Sequence, residues 1–240
     1  VHDGQGNFWF VHNSAGIVKF DVKNNSILSV QHKNGDATSI SSDSIASLTN
    51  DVDGNTWIVH ASGIVEQIVT NQSSYKVTYR TDYLKRLNQN ERFDYQLYAD
   101  AQGDIWLFAA NGNQGVFYFN KKDKSFKHFH KDAPVLRMNT NIVRGIVQDN
   151  KGLIWIATDH GGINVIDKKG FSIQYITHHE EDVKSLAQNS INALYKDDQG
   201  IIWIGTFKKG ISYYHENIIR FPLYKKYLLD PKSLPYEDVN

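Results

Sequence analysis

Short runs of β-branched and aromatic residues, each about five long, alternate with polar turn residues along the whole chain. Ile154-Trp155-Ile156-Ala157-Thr158 and Ile202-Trp203-Ile204-Gly205-Thr206 typify them. Runs of this length, bounded by Gly, Asn and Asp, predict strands rather than helices. The same pattern predicts strands over 44–50, 93–99, 142–148 and 190–196, and two more over 163–166 and 171–176. No apolar run approaches ~18 residues, so the pattern predicts no membrane-spanning helix.

The pattern repeats. Trp9, Trp57, Trp106, Trp155 and Trp203 are spaced by 48, 49, 49 and 48 residues. Each has a Gly three residues earlier (Gly6, Gly54, Gly103, Gly152, Gly200) and an Asp six earlier (Asp3, Asp51, Asp100, Asp149, Asp197). After each comes a Gly followed by a β-branched residue: Gly16-Ile17, Gly63-Ile64, Gly115-Val116, Gly162-Ile163 and Gly210-Ile211. Four short strands in about 48 residues is the size of one β-propeller blade. The strands are lettered A to D, with the Trp on B. A blade alone cannot bury both faces, so neighbours must stack.

The expected fold is therefore all-β, a β-propeller of four-stranded blades forming a single region over 1–240. The repeats run approximately over 1–43, 44–92, 93–141, 142–189 and 190–236, and 237–240 begins the next blade. A second mark agrees with this phase. The connector into strand A recurs as Asp36-x-x-Ser39-Ile40, Asp182-x-x-Ser185-Leu186 and Asp230-x-x-Ser233-Leu234. Ile45, Ile191 or Val239 follows five residues later. The first repeat lacks nearly all of its strand A. Two arrangements fit: the C-terminal stub closes a five-bladed ring, or the five blades belong to a larger, seven-bladed ring with edges to be covered.

Composition narrows the function classes. Lys plus Arg equals Asp plus Glu at 26 each, which argues against nucleic-acid binding through bulk charge. The absence of Cys excludes disulfides, thiolate metal sites and a Cys nucleophile. The chain opens on Val1-His2-Asp3-Gly4, without an initiator Met or a signal-peptide pattern, and is expected to be a section of a longer protein.

The segments Asp149-Asn-Lys-Gly-Leu-Ile-Trp-Ile-Ala-Thr-Asp-His-Gly-Gly-Ile-Asn164 and Asp197-Asp-Gln-Gly-Ile-Ile-Trp-Ile-Gly-Thr-Phe-Lys-Lys-Gly-Ile-Ser212 resemble the two-component regulator propeller repeat. The resemblance is looser in the first three repeats, where Phe10-Val11-His12, Ile58-Val59-His60 and Leu107-Phe108-Ala109 replace the Ile-Gly-Thr ending. It implies the periplasmic sensor region of a hybrid two-component system of Bacteroides-like bacteria. The parent would be a membrane-anchored, homodimeric histidine kinase. Its expected ligand is an oligosaccharide from glycan breakdown, whose binding switches on polysaccharide-utilisation genes. The motif carries no catalytic residues, and neither a cofactor nor a metal is expected.

The repeated Asp residues are expected to bond their own A–B turns and the Trp residues to fill the core between blades. Ligand specificity is expected in the B–C turns, which vary while the A–B turns stay nearly constant. Candidates are His12, Asn13, Asn111, Asn113, Asp159, His160, Phe207 and Lys208, with Lys209 beside them. Asn, Asp and His suit hydroxyls, Phe207 a sugar face, and the lysines an acidic or sulfated sugar. Arg144 joins them because Ala46, Tyr95 and Asn192 stand at its position in other blades. Two rival classes remain. A carbohydrate-active enzyme needs two carboxylates flanking one bond, for which Asp159 and Glu180 are candidates, yet no pattern pairs them. A protein-interaction propeller needs no such pair, although the Trp-Asp signature of WD repeats is absent. His128-x-His130 and His178-His179 lack a third convergent ligand for a metal site. Lys121-Lys122, Lys208-Lys209 and Lys225-Lys226 are scattered basic pairs, read as solvated turns.

Overall fold

The computed structural model describes residues 1–3, 5–12, 15–89, 91–182, 184–217, 223–224, 226 and 230–236. Nearly all regular structure in it is antiparallel β. The first sheet holds β1 (Asn7–His12), β2 (Gly16–Asp21) and β3 (Ser26–Val30). The second holds β4 (Ile45–Asn50), β5 (Thr56–His60), β6 (Val65–Thr70) and β7 (Tyr75–Thr81), followed by a short helix α1 (Tyr83–Leu87). The third holds β8 (Tyr95–Ala99), β9 (Ile105–Ala109), β10 (Val116–Phe119) and β11 (Phe126–Phe129). The fourth holds β12 (Val143–Gln148), β13 (Ile154–Thr158), β14 (Gly162–Asp167) and β15 (Ser172–Ile176). The fifth holds β16 (Ile191–Lys196), β17 (Ile202–Thr206), β18 (Ile211–Tyr214) and β19 (Leu223–Tyr224). Within each sheet the strands follow chain order, which is the meander of a propeller blade. The fold is a β-propeller.

The first sheet has three strands, as its missing strand A implies. A vestige of that strand remains. The Trp9 N–H donates to Val1 O at 2.8 Å, the Val1 ammonium donates to Trp9 O, and His2 bridges to Phe8. The expected further strand at 237–240 lies outside the described residues.

The chain divides into two compact units, Val1–Gly112 with Tyr118–Phe126, and Asn113–Phe117 with Lys127–Asn240. In the first, Trp9, Ile17, Val30 and Ile40 pack with Ile45, Leu48, Ile58 and Ile68 of the next sheet. In the second, Val147, Trp155, Ile163 and Val165 pack with Leu186, Ile191, Ile202 and Ile204. The core of each unit thus lies between successive sheets, where the inward residues of alternating strands meet.

Each repeated Asp ties its blade together. One Asp149 oxygen accepts the N–H groups of Lys151 and Leu153 at 2.9 and 2.8 Å, closing the A–B turn. The other accepts the indole N–H of Trp155 at 3.0 Å. The indole bond recurs from Trp9, Trp57, Trp106 and Trp203 at 3.1, 3.0, 2.9 and 2.8 Å. A buried Trp must find a partner for its N–H, and the turn carboxylate supplies it. Four of the five Trp are buried, while Trp203 is half-buried.

Two features depart from the sequence pattern. The helix α1 was not expected. It is one turn long, too short for a helical period to register, and its buried Leu84 lies against the Gly63 turn. The placing of Tyr95 at the position of Arg144 is corrected. β4, β12 and β16 each carry a bulge, at 45/47, 143/145 and 191/193. Ala46, Arg144 and Asn192 are therefore the extra residues. The pairing of β8 with β9 has no such shift, and Tyr95 opposes Ala109. Tyr95 is fully buried like Val143 and Ile191, whose place it takes.

Candidate functional site

The B–C turns begin from a constant scaffold. The first turn residue donates its N–H to the carbonyl just before strand A of the same blade. These bonds run from Ala61 to Ser44, Ala110 to Asp94, Asp159 to Ile142 and Phe207 to Ser190, at 3.4, 2.8, 2.9 and 2.9 Å. The backbone is held alike while the side chain changes from Ala to Asp to Phe. That separation of fixed backbone from variable side chain is what a specificity site needs.

In the second unit the connector into β12 braces the turn after β13. Thr140 Oγ1 donates to Asp159 O and Asn139 Nδ2 to Gly161 O, both at 2.9 Å. His160 takes a left-handed backbone at φ 65°, which turns its side chain outward with 78% of it exposed. The Asp159 carboxylate then collects partners. Arg144 Nη2 lies 3.2 Å away and His160 Nδ1 2.9 Å away. Ser190 adds a further hydrogen bond from the mouth of β16. Burial alone would push this carboxyl up, but the Arg144 and Ser190 donors outweigh it and hold it below the usual range. Asp159 is thus kept ionised, the wrong state for a glycosidic proton donor.

Ser190 joins this turn to the next. Its carbonyl accepts the Phe207 N–H, while the Phe207 ring is 47% exposed. The Lys208 ammonium sits 4.9 Å from that ring's centroid, and the Lys208 N–H donates to Gln188 Oε1. Arg144, Asp159, His160, Phe207 and Lys208 therefore form one rim, carrying two cations, a carboxylate, an imidazole and an open aromatic face.

The other candidates are not gathered there. His12 ends β1 in the first unit. Asn13 lies outside the described residues. Asn111 is exposed, and its side-chain oxygen is used to accept the Asp94 N–H at 2.9 Å. Asn113 is exposed at the start of the second unit. The histidine pairs serve the connectors: His178 Nδ1 meets Leu186 O at 2.6 Å, and His128 Nε2 meets Gln114 O at 2.6 Å. Among the described residues no three His, Asp or Glu side chains are grouped to hold a metal ion.

Some participants were missed in the sequence. Ser190 and Gln188 tie the rim together, yet a Ser or Gln in a connector gives no signal of its own. In the first unit, Glu66 is fully buried and accepts from Ser41 Oγ at 2.6 Å and from Arg80 Nε, and meets His60 Nε2 at 2.8 Å. His60 ends β5 with 1% of its surface exposed and its Nδ1 unpartnered. The backbone N–H of Ser41 also donates to Glu66, as that of Asn139 does to Asn164. The common task at this strand-C position is to pin the connector.

Comparisons with known proteins place this geometry. The family model described as two component regulator propeller matches residues 137–160 and 185–208, and the chain carries such repeats there. These segments contain all five rim residues. The extracellular domain of the putative hybrid two component system BT3049 from Bacteroides thetaiotaomicron superposes with a TM-score of 0.66 at 19% identity. That match covers 98% of this chain and 28% of the other. The extracellular domain of BT4673 from the same organism gives 0.58 at 16% identity, covering 87% and 26%. A virginiamycin B lyase from Staphylococcus aureus gives 0.60 at 16%, covering 92% and 68%. At these identities the likeness is one of fold, and the chain spans about a quarter of the length of the two extracellular domains. No curated protein matches the sequence. No helix among the described residues is long and apolar enough to cross a membrane.

Proposed function

We propose that this propeller, with its two component regulator repeats, is a ligand-sensing extracytoplasmic module of a hybrid histidine kinase, and that it detects oligosaccharides from glycan breakdown. The observation that carries the proposal is the rim. Ser190 ties two successive B–C turns together, bonding the Asp159 carboxylate and accepting the Phe207 backbone N–H, in the stretch that matches the regulator repeats. Phe207 offers a face for a sugar ring. Asp159 and His160 accept from hydroxyls. Arg144 and Lys208 favour a carboxylate or sulfate on the ligand.

Nothing in this rim needs to break a bond in the ligand. Sensing requires only that the ligand bind one arrangement of the parent better than another. Moving such an equilibrium from 1:99 to 99:1 takes about 5.5 kcal/mol of differential affinity. The parent is proposed to be an inner-membrane homodimer with this module in the periplasm, whose signal runs through a phosphorelay to polysaccharide-utilisation genes.

The test is calorimetric titration of the chain with neutral, uronate-bearing and sulfated oligosaccharides of defined length. Saturable binding to one class is expected. Phe207→Ala and Arg144→Ala should each weaken it about tenfold, a loss of about 1.4 kcal/mol. Release of a chromogenic aglycone would instead make the protein an enzyme. Capture of a protein partner, with no response to any glycan, would make it a scaffold.

A further inference from the structure

The Asp turns of the first unit are not covered alike. Lys121, on the turn between β10 and β11, reaches over the Asp turn of the second sheet. Its ammonium lies 3.1 Å from Asp51 Oδ2 and also pairs with Asp53, and only 20% of the side chain stays exposed. The turn between β6 and β7 faces the Asp turn of the first sheet with Thr70, Asn71 and Gln72 and has no lysine. Gln5 stands two residues after Asp3, where Asp53 follows Asp51. Asp3 is bonded within its own turn, to Gln5 N, Asn7 N, Asn7 Nδ2 and the Trp9 indole. Where Lys121 closes one junction, an open cleft of about 470 Å³ remains at the other.

The walls of this cleft define a ligand chemistry. Its lining includes Gln5, Lys19, Lys23, Asn71 and Gln72. The amides of Gln5 and Gln72 present a donor and an acceptor together, as neighbouring hydroxyls do, whereas Asn71 Oδ1 already accepts Ser73 N, Ser74 N and Ser74 Oγ at 3.0, 2.7 and 2.9 Å and leaves its Nδ2 to donate. Lys19 donates to Thr70 Oγ1 at 3.1 Å and sits 5.4 Å from the centroid of the Trp9 ring. An ammonium has three donors, and this bond uses one. Lys23 is exposed and has no ion pair among the described residues. Asp21 also lines the cleft, where the Lys19 charge acts on its carboxylate, and that carboxylate accepts Asn24 N at 3.1 Å and Asn24 Nδ2 at 2.7 Å in its own β2–β3 turn. Trp9 is 3% exposed, so no open ring is available for stacking. What remains is a net positive charge, two lysines against the one Asp21 carboxylate, beside hydrogen-bonding amides, in a volume typical of small-molecule pockets.

We propose that this cleft binds a small hydroxylated carboxylate, a sugar acid of the uronate class. Its carboxylate lies between Lys19 and Lys23, and its hydroxyls meet Gln5, Asn71 and Gln72. The cleft shares no residue with the rim in the second unit.

The experiment is a titration of the isotope-labelled chain with D-glucuronate, D-glucose and acetate in turn, following the Trp9 indole N–H and the Gln72 amide by NMR. Saturable shifts with glucuronate are expected, at least tenfold tighter than with either glucose or acetate. Lys19→Met should weaken them at least tenfold. Lys23→Glu, at an exposed position that leaves the fold intact, should do the same even if Lys19→Met fails to fold. Phe207→Ala should leave them unchanged. The proposal is overturned if glucuronate gives no saturable shift, if glucose or acetate binds as tightly, or if Lys23→Glu binds as the parent chain does.

Discussion

Asp100 uses one carboxylate oxygen for the N–H groups of Gln102 and Asp104, and the other for the Trp106 indole at 2.9 Å. Both Asp100 and Trp106 are buried, so removing the carboxylate leaves donors without water to replace it. An orphaned buried donor costs roughly 1–3 kcal/mol. Asp100→Ala is therefore expected to destabilise the chain by about 3 kcal/mol, read as a lower urea midpoint at constant slope. In a Trp106→Phe background the indole is gone, and the cost of Asp100→Ala should fall by about 1 kcal/mol. Equal costs in both backgrounds would mean that the indole bond contributes nothing. The sequence showed the six-residue spacing from Asp to Trp. It did not show that one side chain closes the turn and also satisfies the indole, because that depends on where the next strand carries the ring. The rim has the same limit: Arg144, Asp159 and Phe207 were legible as odd residues in a repeat, whereas Ser190, which joins them, was not.

At the scale of elements, the B–C hairpins depend on glycine for a steric reason. Gly162 has φ 67°, and a Cβ there would lie 2.3 Å from the Ile176 carbonyl oxygen. Since Ile176 is paired with Ile163 on β14, relieving that clash means opening the β14–β15 ladder. Gly35 has φ 80° but meets nothing within 4 Å. Gly162→Ala is expected to cost about 3 kcal/mol and Gly35→Ala about 1 kcal/mol, the difference being the clash beyond the backbone strain. Chemical denaturation of the two variants measures it, and similar losses would refute the steric account. Strand positions followed from short apolar runs with a fixed Trp. The bulges did not, because a bulge adds a residue without changing the apolar pattern around it. That is why counting from Asp placed Tyr95 beside Arg144, whereas pairing places Tyr95 beside Val143.

The whole molecule sums its ionisable groups in its response to pH. Burial pushes the Asp51 carboxyl up, but the Trp57, Asn55 and Lys121 donors outweigh it and hold it low. Glu66 is likewise held low, against its burial, by His60, Ser41 and Arg80. The Trp203 indole lowers Asp197. Such carboxylates contribute stability that is complete above their unfolded values, 3.8 for Asp and 4.5 for Glu, and is lost as pH falls through the folded values. His128 acts earlier. Burial against Phe117 lowers its pKa from 6.5, so the unfolded chain takes up the proton first and stability declines as pH falls through that value. Urea midpoints measured from pH 7 to pH 3 should show a shallow decline beginning near 6.5 and a steep one below about 4.5. His128→Gln should remove the first and leave the second. A steep loss already complete at pH 5 would contradict this assignment.

The sequence alone determined the architecture. A Trp every 48 or 49 residues, with Asp and Gly at fixed offsets, forces each repeat into the same hairpins, and no repeat can bury both faces by itself. Local chemistry suffices for that, because turns, strand periodicity and the need for a neighbour are written in adjacent residues. Tertiary structure decided which variable residues meet. Asp159 and Phe207 lie 48 positions apart, and Lys121 reaches 70 residues back to Asp51. Whether such pairs form a rim, a clamp or an open cleft depends on the stacking of one blade on the next. That stacking is set by bulges, connectors and single side chains that leave the repeat pattern unchanged.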